Sequence, residues 1–233
     1  MFRAHASSGE ARGRQRIGLA LGSVAALEAL HLLMAVFLFA VLGRSPADMW
    51  TGDPAVLAST LVFGVVAMGG LVWLGIVRWG RCPWRDLGWH GDRIGEALAL
   101  GLVGFGMLVA IVLGMLAVAG HWSDVDLHGA LAGYTAAQRA QFLLIGLCAA
   151  TIEESIFRGY LQPALIAKVG LVGGILIGAV VFGLYHVFMG PSPFNLIGKV
   201  CFGLVLGALR GHDRSLVGPM FAHFLFWQVM GSL

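Results

Sequence analysis

Charge is scarce in this chain of 233 residues. Asp, Glu, Lys and Arg together make up 12% of it, where a soluble domain carries about 25%. Hydrophobic residues reach 58% and the mean hydropathy is +0.86, which excludes an ordinary soluble domain. Cysteine is also sparse. Cys82, Cys148 and Cys201 are odd in number and form no C-x-x-C pair, so neither a disulfide framework nor a zinc ribbon is indicated. No extramembrane stretch is long enough for a second folded domain, and no convincing internal repeat of the transporter kind is present.

What the chain has in abundance is long apolar runs: Ile17 to Leu42, Pro54 to Trp79, Ile94 to Ala119, Gln141 to Ala167, Leu171 to Met189, Phe194 to Leu209 and Leu216 to Met230. Most approach the roughly 20 residues that cross a bilayer as a helix. The expected fold is all-α, a polytopic membrane protein of about seven transmembrane helices. Residues 1–16 read as an Arg-rich tail and 17–233 as a single transmembrane domain. The first run is too long for a signal-peptide core and lacks a small-residue cleavage site, so it reads as a retained span.

Basic residues gather before the first run (Arg3, Arg12, Arg14, Arg16), after the second (Arg78, Arg81, Arg85, Arg93), after the fourth (Lys168) and before the last (Arg210, Arg214). The positive-inside rule then places the N-terminus in the cytoplasm of a multi-pass cell-membrane protein. The net charge of +3 belongs to such loops and calls for no nucleic-acid partner. The lipid bilayer is the expected environment. The connections 81–93 and 120–138 carry Trp and charges suited to the headgroup region, and the second has room for a short interfacial helix.

Ionisable residues inside the runs are the informative ones, since each costs about 2.5–3.5 kcal/mol at a helix centre. They are Glu28 and His31, Glu153, Glu154 and Arg158, His186, Lys199, and His223. Glu154 and Arg158 stand at i and i+4 in the favourable order for an ion pair. Glu153 points about 100° away around the helix and has no such local partner, which suits a general base. With a reversal near Gly170, Glu153 and His186 lie at nearly equal height, about 25 Å along two antiparallel helices. His223 comes out only about 18 Å up the last run, so including it needs tilt or a differently placed turn. Glu28 and His31 read as an interhelical pair, Lys199 as a residue reaching for the interface, Ser155 as helix filler and Phe182 as packing.

The series Glu153-Glu154-x-x-x-Arg158, Phe182-x-x-x-His186 and a last-helix His223 resembles the CAAX protease and bacteriocin-processing (Abi) family of intramembrane glutamic endopeptidases, over about residues 136–230. The resemblance implies that Glu153 and His186 activate a water against a peptide carbonyl. It further implies that His223 helps stabilise the oxyanion and that Glu154 and Arg158 hold the site together. The substrate would be a peptide or membrane-anchored protein. Four residues after the histidine the family commonly has Asn or Asp, and here stands Trp227, with one N–H donor and no amide carbonyl. No metal or other cofactor is implied; zinc on Glu153, His186 and His223 is the alternative weighed and ranked below the metal-free route. A non-catalytic member serving as an immunity factor or scaffold is the second function class.

Overall fold

The computed structural model describes residues 2–45, 48, 50–121, 134–187 and 192–230. Helix is the regular structure among them, and no strand occurs among the described residues. Helix α1 runs Phe2–Val36, takes in the Arg-rich tail and passes into a π-helical turn, Phe37–Val41. Helix α2, Pro54–Val66, starts where the Asp53 carboxylate accepts from the amides of Ala55 and Val56, and continues as a wide π-helical segment, Ala67–Trp79. The single turn α3 (Trp84–Leu87) and the long α4 (Ile94–Val118) follow. Helix α5, Ala136–Glu154, opens on a capping box of Thr135 and Gln138 and widens into a π-helical turn, Ser155–Leu161. Helices α6 (Gln162–Tyr185), α7 (Pro193–Asp213) and α8 (Val217–Met230) complete the bundle. The interfacial helix expected within 120–138 falls mostly on residues 122–133, outside the described ones.

Among the described residues five helices are long and apolar enough to cross a membrane: Gln15–Val41, Pro54–Trp79, Ile94–Val118, Ala136–Tyr185 and Pro193–Asp213. The seven apolar runs map onto these five and α8. The fourth and fifth runs form one 50-residue stretch, broken at Gly170, where φ is 80° and ψ 171°. That conformation is essentially restricted to glycine, and it reverses the chain. Phe157 lies 5.0 Å from Phe182 between ring centroids, and a Cβ on Gly174 would fall on Ile166, so the two arms run antiparallel. Helix α8, with 14 residues, is about 21 Å long and shorter than a hydrocarbon core of about 30 Å.

The distribution of polarity is that of a protein solvated by lipid. Val118, Trp79, Val172, Leu32 and Val65 are largely exposed, whereas Glu154, Ser155, Arg158, Gln162 and His223 are buried. In hydrocarbon every backbone group must be satisfied within the segment, which helices do, and polar side chains turn inward to find partners. The glycine stripe Gly203-Gly207-Gly211 of α7 packs on α6: a Cβ on Gly203 would sit 2.8 Å from the Ala179 Cα, and those on Gly207 and Gly211 would meet Ile175. Small residues admit this backbone approach. Helix α8 lies on α5 at Gly146, where a Cβ would meet Trp227 and Gln228.

The connection 81–93 packs against the helices. Leu87 is fully buried, its carbonyl would lie 3.0 Å from a Cβ on Gly159, and the Trp89 indole donates to Ser155 Oγ at 3.0 Å. Arg210, counted from sequence among the loop charges, is buried and clamps this connection. Its Nε donates to the Arg158 carbonyl (3.2 Å) and its Nη2 to the Leu87 carbonyl (3.3 Å).

Candidate active site

The site is assembled on α5 and its π-helical continuation, on the far arm of α6, and on α7 and α8. Glu153 and Glu154 are the last residues before the turn widens, a departure often found at functional sites. Glu154 is fully buried. Its Oε1 accepts from Arg158 Nη1 at 3.0 Å and meets His223 Nδ1 at 2.8 Å. The Arg158 guanidinium also donates to the Gly203 carbonyl (3.4 Å) and lies 4.2 Å from the centre of the Phe182 ring. A buried pair of charges survives when further hydrogen bonds and neighbours satisfy it, and each of these contacts serves that end.

Glu153 points elsewhere. Its Oε2 is 3.9 Å from His186 Nε2, beyond hydrogen-bonding distance, and is buried with no hydrogen-bond partner among the described residues. His186 Nδ1 lies 2.8 Å from the Phe182 carbonyl. A carbonyl only accepts, so Nδ1 carries the proton and Nε2 presents a lone pair toward Glu153. Two acceptors thus converge across a short gap.

The equal height expected for Glu153 and His186 agrees with their contact, because the chain does reverse at Gly170. His223 joins the constellation through Glu154 and not through Glu153. Its apparent shortfall in height disappears because the turn before α8 sits deep: the Leu216 amide donates to the Gly88 carbonyl (2.9 Å) and Ser215 Oγ to that of His90 (3.0 Å). Trp227 is not at the carboxylates. Its ring stacks on Trp50 with centroids 6.4 Å apart, and Trp50 stacks on Phe142 at 6.0 Å. Phe182 touches Arg158, His186, Phe202 and His223, so the packing role expected of it is extensive.

Several residues escaped the sequence reading. Lys199, expected to reach for the interface, has its Nζ 5.9 Å from the centre of the Phe202 ring and interacts electrostatically with Glu153, His186 and His223. Gln162 donates to the Gly207 carbonyl at 2.8 Å; a signal existed, since it follows Arg158 by four residues on the polar face. Ser155 is more than filler, because it accepts from Trp89 and donates to the Thr151 carbonyl at 2.6 Å. Among the described residues no three of His, Cys, Asp or Glu are grouped so as to hold a metal ion.

Fold and site together define a polytopic helical membrane protein with a buried carboxylate and imidazole cluster. Residues 135–228 match the family model described as Rce1-like, type II CAAX prenyl endopeptidase, so the CAAX protease resemblance is found over the stretch that carries the motifs. That family is one of proteases. No curated protein and no solved structure matches the chain.

Proposed function

We propose that the chain is an intramembrane endopeptidase that cleaves a peptide or membrane-anchored protein with a water activated by Glu153 and His186. The observation that carries the reading is the 3.9 Å separation of Glu153 Oε2 and His186 Nε2, each with a free lone pair. One water placed about 2.8 Å from both donates a hydrogen to each, which turns its own lone pairs toward a substrate carbonyl. As the new O–C bond forms, Glu153 takes the proton and the carbonyl electron pair moves to oxygen. The same proton then passes to the amide nitrogen as the C–N bond breaks. With Nδ1 held by Glu154, His223 offers Nε2 to the oxyanion when its ring is protonated, and Glu154 and Arg158 position that ring.

The test is a pair of substitutions in purified protein, scored by thermal melting and by cleavage of a peptide library. Glu153→Gln keeps the shape of the side chain and loses the base, so melting should hold while cleavage falls by about 100-fold or more. Glu154→Gln should instead lower melting, since Arg158 and His223 lose their shared anion; breaking a buried pair costs about 3–5 kcal/mol. Normal folding with undiminished cleavage in Glu153→Gln sinks the assignment. The position of Trp227 favours a second reading, a non-catalytic member of the same family, because its ring faces Trp50. Failure of the unmodified protein to cleave any member of the library would support it.

A further inference from the structure

Glu153 has a second neighbour, and it leads out of the motif-bearing region. Tyr185, the last residue of α6 and 5% exposed, brings its hydroxyl within electrostatic and hydrogen-bonding reach of the Glu153 carboxylate. The same hydroxyl is 3.2 Å from His31 Nδ1 on α1. His31 is itself fixed, its ring stacked on Phe63 with centroids 4.5 Å apart and its Nδ1 3.8 Å from Glu28 Oε2. A phenol has one proton to give. Both contacts are satisfied together when His31 Nδ1–H donates to the Tyr185 oxygen and the Tyr185 O–H donates to Glu153.

We infer that Tyr185 and His31 are a positioning pair for Glu153: the first helix, through His31, holds the phenol that orients the carboxylate proposed as the base. The inference rests on that proposed function for its catalytic meaning. A carboxylate that accepts from the phenol on one side has its other oxygen fixed toward His186, which is the arrangement that defines the gap for water.

Two readouts test it in the full-length protein. Infrared spectroscopy identifies the Glu153 carboxyl band as the one lost in Glu153→Gln. That band should shift in Tyr185→Phe, shift likewise in His31→Leu, and return in His31→Asn, whose amide nitrogen occupies the place of Nδ1. In a cleavage assay kcat should fall about tenfold in Tyr185→Phe and in His31→Leu with KM unchanged, as loss of one hydrogen bond to a charged group implies. The double variant should fall no further than either single one. An unmoved carboxyl band in both variants overturns the inference, and a band moved by Tyr185→Phe alone removes His31 from it. Shifted bands together with undiminished cleavage in Glu153→Gln would leave this pair intact and sink the proposed function instead.

Discussion

Arg158 shows how much one buried side chain holds in place. Its guanidinium meets Glu154, the Gly203 carbonyl and the face of Phe182 at once, and its own carbonyl accepts from Arg210. A planar fork can do this and an ammonium cannot. Arg158→Lys should therefore lower the melting temperature although the charge is kept, since a desolvated cation on a ring is worth about 2 kcal/mol and the Gly203 bond is lost as well. Circular dichroism melting in detergent checks it; a melting temperature equal to that of the unmodified protein would show that the fork is dispensable. The division between Glu154 and Glu153 could be read from helical phase alone. The partnership of His223 with Glu154 could not, because it depends on the depth of the turn before α8, which Gly88 and His90 set from a distant part of the chain.

Between elements, the recurring unit is a four-residue step matched on two helices. Glu154, Arg158 and Gln162 follow one another along α5 and its continuation, and Arg158 and Gln162 reach the carbonyls of Gly203 and Gly207 on α7. Side chains at those glycines would stand in the way. The apolar runs and the glycine stripe were legible because composition and spacing are local properties. The π-helical widening at Ser155–Leu161 and the burial of Leu87 at the end of α3 were not, since both answer to neighbours brought in by tertiary packing. Gly170 is where the hairpin is most exposed to a single change. Its φ of 80° with ψ of 171° strains any residue bearing a Cβ by about 1–3 kcal/mol, although the space around it is open. Gly170→Ala should thus lower melting and cleavage together, by shifting the far arm that carries His186. If Gly170→Ala melts normally and retains full activity, the reversal does not depend on that conformation.

At the scale of the molecule, the family match begins at residue 135, yet the site is completed by what precedes it. His31 reaches Tyr185, Trp89 reaches Ser155, Trp50 stacks on Trp227, and the Gly52 amide donates to Gln141 at 2.9 Å. None of these pairings is visible in sequence, because each joins residues far apart through single contacts without a motif. Arg210 is the strongest such tie, holding Leu87 and Arg158 by their carbonyls while itself buried. Arg210→Met would retain most of the packing and strand both acceptors, a loss of about 1–3 kcal/mol for a buried group left unsatisfied. The connection carrying Arg81 and Arg85, both exposed, should then open more often, and trypsin should cut it about tenfold faster when cleavage follows the open population. Arg214→Gln is the matched control, as it removes the same charge from an exposed neighbour and leaves both carbonyls bonded. Equal digestion of the Arg210→Met variant, this control and the unmodified protein would mean that the connection is held by the burial of Leu87 and the Trp89 contact alone. A selective rise would show that a residue inside the matched region fixes a loop outside it.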